Sequence, residues 1–357
     1  MKQTSVMIVE DSPVISIFLE HIINSDPRLR VVASVRSGED ALKVLPDVLP
    51  DVISLDIRLP GMNGLEATRR IMAEHPTPIV VVSSNVEDDE LKISMNALRT
   101  GALAVVQKPV GLTHADYEDL AANLCTRLFI MSQVRVIRQR YRPQVTVPDG
   151  SRPIIEPGGY LQSEPRILGI VASTGGPSAL VRVLGDLAPQ LNVPVVVVQH
   201  ITPGFVRGFV SWLDDVLPSL KVEEARHHTV MEAGHVYVAP ADSHTVCIEG
   251  NLLALQDSPP FCAQKPSGTI LFRSMSRVYK AHGVGVLLTG MGEDGALGLK
   301  EMCETGAYTV AEHESSAVVY GMPGTAVRMG AARAVLPVSE IGARLNLLFQ
   351  RKADRHV

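Results

Sequence analysis

VMIVEDSPVISIFLEHII, residues 6–23, decides the fold class. An apolar run, Val6–Val9, ends in two carboxylates, Glu10 and Asp11, and gives way to apolar residues at helical spacing, Ile15, Leu19, Ile22 and Ile23. Strand, turn and helix in that order form the repeating unit of a parallel sheet. The alternation continues, with further strands expected at Val31–Val35, Val52–Leu55, Ile79–Val82 and Ala104–Val106, and helical spacing between them, as in Leu65, Thr68, Ile71 and Met72. Five strands with intervening helices predict an α/β domain built on a doubly wound, parallel, five-stranded sheet.

Outward from this segment the pattern dissolves and then resumes. Prolines 143, 148, 153 and 157 and glycines 150, 158 and 159 mark a linker. Its basic cluster, Arg135, Arg138, Arg140 and Arg142, could dock an acidic partner, but a solvated basic linker is the plainer reading. A second α/β series follows at Ile167–Val171, Val195–Val198, Val236–Val238 and Val284–Leu288. The expected organisation is a first domain over 1–128, a linker over 129–165 and a second doubly wound domain, its sheet mainly parallel, over 166–350.

The 357 residues are enough for two such domains. A net charge of −5, with only 20% charged residues, offers no bulk attraction to nucleic acid or to anionic membrane, and 46% hydrophobic content excludes a disordered chain. The longest apolar runs are strand-sized, so no membrane insertion is expected, and the N-terminus lacks the apolar stretch of a signal peptide. Four cysteines, Cys125, Cys247, Cys262 and Cys303, form no CxxC pair or metal-ligand spacing and read as reduced thiols of a cytoplasmic protein.

Chemistry gathers where the strands end. Glu10 and Asp11 follow the first strand, Asp56 the third, and Lys108 the fifth, while Ser83 ends the fourth. Ligands of open parallel sheets bind beyond the carboxyl ends of the strands, so these groups should converge. Hard oxygen donors without His or Cys suit Mg²⁺. A carboxylate, a divalent cation, a lysine and a hydroxyl at one spot could form and hold an aspartyl phosphate. The bland alternative is that acids at strand ends cap helices, as Asp11-Ser-Pro could.

In the second domain one strand leads into Ala172-Ser173-Thr174-Gly175-Gly176-Pro177, another ends in Gln199-His200, and a third leads into Thr289-Gly290-Met291-Gly292-Glu293-Asp294-Gly295. Serine at a strand-to-helix turn, with a histidine to take its proton and a carboxylate to orient the imidazole, suits acyl transfer. Alone, the Ser-Thr-Gly-Gly turn reads as a helix cap and the strand-end histidine as a structural one. The rival is Gly290-x-Gly292-x-x-Gly295, a dinucleotide fingerprint with Glu312 near the position of a ribose-binding acid. Glu293 and Asp294 would repel the pyrophosphate there, and the rival leaves Ser173 and His200 idle. The order Ser173, His200, Asp294 also differs from that of α/β-hydrolases, and G-x-S-x-G is absent.

VEDS (9–12), SLDIRLPGMNG (54–64), VVSS (81–84) and QKP (107–109) resemble the response-regulator receiver domain. That resemblance implies Asp56 as phosphoacceptor, Glu10, Asp11, Asp56 and the Arg58 carbonyl as holders of Mg²⁺, and Ser83 and Lys108 as phosphoryl contacts. Val105 stands where the family usually has an aromatic residue. ASTGGPSAL (172–180), QHITPGF (199–205), GHVYVAPAD (234–242), LLTGMGEDGA (287–296) and AVVYGMPG (317–324) resemble the catalytic domain of the chemotaxis protein-glutamate methylesterase family, CheB. Here the resemblance implies Ser173 as nucleophile, His200 as base and acid, and Asp294 as its orienter. Thr174 and Met291 would shape the oxyanion site. Lys265-Pro266-Ser267-Gly268-Thr269 stands where the family commonly has Arg-Pro-Ser-x-Asp, one acid fewer.

Together the two resemblances imply a phosphorylation-controlled hydrolase of γ-glutamyl methyl esters on chemoreceptors, with deamidation of receptor glutamines. Its partners would be a histidine kinase and the receptors. Mg²⁺ would serve the receiver only, and an unphosphorylated receiver would cover the active site. The non-enzymatic alternative is a response regulator whose second domain only binds a partner. His227, His228, His235, His244 and the His244-x-x-Cys247 pair lack a complete ligand set and read as structural or surface residues.

Overall fold

Strand and helix alternate through both halves of the chain, in a computed structural model that describes residues 3–83, 88–109, 117–134, 136, 163–187 and 191–349, without the side chains of 88–92. The basic cluster Arg135, Arg138, Arg140 and Arg142 lies outside these residues. The chain forms two compact units, Met1–Val147 and Pro148–Val357.

The first unit runs β1 (Thr4–Val9), α1 (Pro13–Ser25), β2 (Leu29–Val35), α2 (Gly38–Val48), β3 (Val52–Asp56), α3 (Gly64–Glu74), β4 (Ile79–Ser83), α4 (Asp88–Thr100), β5 (Ala104–Gln107) and α5 (Tyr117–Met131). The sheet is parallel with order β2-β1-β3-β4-β5. Every residue of β3 and β4 is buried, which is why those strands read as continuous apolar runs rather than alternating ones. Winding reverses between β1 and β3, which opens a crevice beyond their carboxyl ends. α5 continues past residue 128 because its stripe Leu124, Leu128 and Met131 is buried. The capping alternative for Asp11 is corrected: Ser12 is the N-cap of α1, accepting from Ile15 N, with Pro13 in the first turn, and Asp11 is exposed.

The second unit runs β6 (Ile167–Ala172), α6 (Gly176–Gly185), β7 (Val195–Gln199), α7 (Val206–Val216), β8 (Lys221–Glu224), β9 (Thr229–Val230), β10 (His235–Val238), β11 (His244–Ile248) and β12 (Leu252–Gln256). It continues with α8 (Gly268–Val278), β13 (Gly283–Leu287), α9 (Ala296–Glu304), β14 (Tyr308–Glu312), α10 (Met322–Arg328), β15 (Ala334–Leu336) and α11 (Val338–Phe349). Seven strands form a wholly parallel sheet, β15-β14-β13-β6-β7-β10-β8, and β11-β12-β9 form a small antiparallel one. Val171, Val196 and Val198 of the large sheet share a core with Leu271, Phe272 and Met275 of α8. Burying one such side chain contributes roughly 1.5–3 kcal/mol. The first strand, β6, lies between β13 and β7, so the turns after these three strands meet at the topological switch point.

Candidate phosphorylation and active sites

Five groups of the first unit surround the β1–β3 crevice. Glu10 and Asp56 are buried, and Lys108 Nζ donates to Glu10 Oε2 at 2.8 Å and to Asp56 Oδ2 at 2.8 Å. Arg58 N donates to Asp56 Oδ1 at 3.1 Å, and Ser12 N donates to Glu10 Oε1 at 3.4 Å. One ligand atom each from Glu10, Asp11 and Asp56 lies within 4.8 Å of the others. Ser83 is buried at the end of β4, between the strands that lead to Asp56 and Lys108, and its carbonyl accepts from Lys108 N at 2.8 Å. Burial pushes the Glu10 carboxyl up, against the bond from Lys108. Burial also works against the Lys108 ammonium, yet the Asp56 and Glu10 carboxylates hold it above its ordinary range. Two carboxylates thus meet the Lys108 ammonium with a third, Asp11, beside them, and the excess negative charge with an all-oxygen donor set fits a small divalent cation. Val105 is half-buried in β5, paired with Val81.

The second unit brings its three strand-end residues to one edge. Ala172 and Gln199 are register partners on β6 and β7, and His200 N donates to Ala172 O at 3.0 Å. Ser173 and His200 therefore leave the sheet side by side. From the β13 end, Asp294 Oδ2 meets His200 Nε2 at 2.9 Å, with both side chains buried. His200 Nδ1 is buried and without a hydrogen-bond partner among the described residues. Nε2 faces the carboxylate, so Nδ1 is the ring nitrogen that keeps no partner, and no hydrogen bond joins it to Ser173 Oγ.

The local backbone explains why these side chains are available. The N-cap of α6 is Gly175 and that of α9 is Gly295, both at positive φ and neither making a side-chain cap bond. Neither Ser173 nor Asp294 therefore caps the helix that follows it, contrary to the cap reading of the Ser-Thr-Gly-Gly turn. A Cβ at Gly290 would come within 2.7 Å of Ser173 Cβ, so only glycine lets the two loops approach this closely.

Asp294 is held by the start of α8: Ser267 Oγ donates to Oδ1 at 2.6 Å, Thr269 N to Oδ1 at 3.1 Å and Gly268 N to Oδ2 at 2.7 Å. Burial raises the cost of its charge, but His200, Ser267 and the Thr269 amide keep the carboxyl below its ordinary range. Within the Lys265–Thr269 run, Ser267, Gly268 and Thr269 thus cradle the acid. Thr269 Oγ1 also accepts from Gly295 N at 2.8 Å. Gln199 Nε2 donates to the Ser173 and His200 carbonyls at 2.8 and 3.0 Å, tying the backbones of the two turns together. The functional reading passed over Gln199, Ser267 and Thr289; their signal was polar residues inside or beside otherwise apolar strand ends. Thr174 is buried, whereas the Met291 side chain is 53% exposed at the rim.

The dinucleotide alternative fails on geometry. Glu312 is only 1% exposed, with its carboxylate taken by Thr289 N at 2.7 Å and Ser316 Oγ at 2.8 Å, and Asp294 stands before α9 where a pyrophosphate would sit. Among the histidines read as structural or surface residues, His244 Nδ1 accepts from Ser267 N and its Nε2 faces Pro259 O, while His235 pairs with Glu223. His227 Nδ1 accepts from Leu255 N and its ring lies against that of His228. Cys125 and Cys247 are buried, and burial pushes their thiols up to about 11 and about 12, which keeps both protonated. No described helix is long and apolar enough to cross a membrane.

Comparison with known proteins agrees with both units. Residues 6–115 match the response regulator receiver domain and residues 168–345 match CheB methylesterase. A protein-glutamate methylesterase/protein-glutamine glutaminase 2 of Paramagnetospirillum magneticum is 51% identical over 348 residues, covering 96% of this chain and 97% of that one. A protein of the same name, without the numeral, from Nitrosospira multiformis is 42% identical over 97% of this chain and 98% of its own. The crystal structure of the Thermotoga maritima CheB methylesterase catalytic domain aligns over 52% of this chain and all of that domain, with 32% identity and a TM-score of 0.50. Receiver ahead of hydrolase, in one chain and over nearly its full length, places this protein in the CheB methylesterase family.

Proposed function

We propose that this protein hydrolyses γ-glutamyl methyl esters on chemoreceptors, and deamidates receptor glutamines, under control of phosphorylation at Asp56. The buried His200–Asp294 pair at 2.9 Å, set beside the Ser173 turn, carries this reading. Ser173 Oγ attacks the ester carbonyl carbon while His200 Nδ1 takes its proton. Asp294 holds the imidazole through Nε2 and stabilises the imidazolium. Collapse of the tetrahedral intermediate expels methanol, which carries off the proton from Nδ1 and leaves an acyl-enzyme. Water then attacks with His200 again as base, releasing the glutamate and restoring the Ser173 hydroxyl. With glutamine the leaving group is ammonia. Backbone groups at Thr174 and Met291 are the assigned shapers of the oxyanion site.

In the receiver, Asp56 is the assigned acceptor and a chemotaxis histidine kinase the donor. Glu10, Asp11, Asp56 and the Arg58 carbonyl would hold Mg²⁺, which when bound offsets the charge of carboxylates and phosphoryl group. Lys108 and Ser83 contact the phosphoryl oxygens. Phosphorylation relieves inhibition exerted by the receiver. The corresponding division is a receiver over 1–128, a linker over 129–165 and a catalytic domain over 166–350, in a cytoplasmic protein.

The test is methanol release from methylated receptor membranes, with and without a small phosphodonor and Mg²⁺. Wild type should release methanol and respond to phosphodonor, Ser173→Ala should release none, and Asp56→Ala should lose the response. Release that persists in Ser173→Ala would overturn the mechanism.

A further inference from the structure

We infer that Thr289 and Glu312 are positioning residues that clamp the Ser173 turn to the loop carrying Asp294, an inference that rests on the reading of Ser173 as nucleophile. Thr289, the residue after β13 and Leu288, reaches across to the nucleophile turn twice. Its carbonyl accepts from Ser173 N at 3.0 Å, and its Oγ1 donates to Thr174 O at 2.8 Å. The same Oγ1 accepts from Val319 N at 2.9 Å, so the hydroxyl is used as donor and acceptor at once. Valine, its closest isostere, supplies neither bond.

Behind Thr289 stands Glu312. β14 is the neighbour of β13, and Glu312 is its last residue, one strand over from the acid loop. Glu312 Oε2 accepts from Thr289 N at 2.7 Å and Oε1 accepts from Ser316 Oγ at 2.8 Å. It is 1% exposed, and among the described residues no ion pair reaches it. Burial pushes its carboxyl up. Such a group is costly to keep in a core unless its bonds matter. Both bonds are of a kind an amide can also make: the oxygen accepts from Thr289 N, and an amide nitrogen can donate to Ser316 Oγ. The clamp therefore needs the shape and acceptor of Glu312, and not its charge. The acid that resembled a ribose ligand by spacing instead fixes the backbone on which the nucleophile rests.

A nucleophile must be held to well within 1 Å, so losing the clamp is expected to slow chemistry rather than substrate capture. The experiment uses the full chain and two readouts. One is the rate at which a fluorophosphonate labels Ser173, forming the Oγ–P bond, expelling fluoride and passing the serine proton to His200. The other is kcat and KM for methanol release from methylated receptor membranes. Thr289→Val is expected to cut labelling and kcat about 10²-fold with KM held within about threefold, and Thr289→Ser to recover most of the rate. Glu312→Leu should lose labelling where Glu312→Gln retains it, and this pair decides the matter if Thr289→Val does not fold. Ser276→Ala removes a buried hydroxyl between α8 and α9. It should lower the melting temperature and leave labelling alone.

Wild-type labelling speed in folded Thr289→Val, or losses that follow melting temperature through Ser276→Ala as well, would overturn the clamp. Absence of Ser173 labelling in the wild type would instead overturn the nucleophile assignment beneath it.

Discussion

The two carboxylate sites of this protein occupy the same place in two similar sheets and solve opposite electrostatic problems. Around Asp56, Glu10 and Asp56 share the ammonium of Lys108, Asp11 adds a third carboxylate beside them, and burial has pushed the Glu10 carboxyl up. Around Asp294, the carboxylate takes three donors from the start of α8 and one from His200, and its carboxyl stands below the ordinary range. One site carries negative charge the protein has not neutralised, which suits a cation and a phosphoryl group that come and go. The other is neutralised from within, which suits a general base that must be ready before substrate arrives. Position at the switch point makes a site; the count of donors on the carboxylate decides what kind.

Removing the internal neutralisation should have the largest effect. Asp294→Asn presents an amide to His200 Nε2 and favours the wrong tautomer, with an expected loss of about 10⁴ in turnover on the pattern of known triads. Methanol release measures it, and a loss below tenfold would mean that Asp294 is not the orienting acid. Receiver phosphorylation, followed with a radiolabelled phosphodonor, should be unaffected.

The reciprocal change, Lys108→Met, leaves Glu10 and Asp56 buried without a cation. Breaking such a buried pair costs about 3–5 kcal/mol, and Mg²⁺ should return part of it by binding the folded receiver. Calorimetry with and without Mg²⁺ reads both quantities. Equal stability of the variant in the two buffers would contradict a divalent site at Glu10, Asp11 and Asp56.

The smallest effect is the pH dependence. Glu10 has its folded value raised above the ordinary 4.5, so within that interval the native state holds the proton more often than the unfolded one. Stability then falls as pH rises, by at most about 1.4 kcal/mol per pH unit for one proton. Acidification towards the ordinary 4.5 in metal-free buffer should therefore stabilise wild type relative to Glu10→Gln, and Mg²⁺ should oppose this by favouring ionised Glu10. Asp294 behaves the other way. Its folded value is depressed, so its contribution is present above the ordinary 3.8 and is lost only as pH falls through the folded value. The same sign of pH dependence at both sites would erase the contrast.

Most strands were legible from composition, and the reason is burial on both faces. β3, β4, β6, β7 and β13 are unbroken buried runs; the first four start where expected and end one residue later, and β13 lies one residue earlier at both ends. β8, Lys221–Glu224, escaped because it lies at the sheet edge, where charged side chains are tolerated and apolar patterning fades. The β11–β12 hairpin also escaped, since its strands show neither clean alternation nor a two-residue Asn-Gly turn.

What the sequence determined by itself was the pair of parallel sheets and the residues at their carboxyl ends, because strand propensity and the βα alternation are local properties read within twenty residues. Tertiary structure alone decided which of those residues meet and through which atoms. It set Nε2 of His200 against Asp294 and left Nδ1 without a partner among the described residues, made Ser12 rather than Asp11 the cap of α1, and turned Ser267 and Thr269 into the cradle of an acid some 25 residues away. It also converted Glu312 from a plausible ribose ligand into a buried support for Thr289. Those contacts depend on the order of strands in the sheet, and strand order is fixed by the packing of whole helices across it, a property no local stretch of sequence contains.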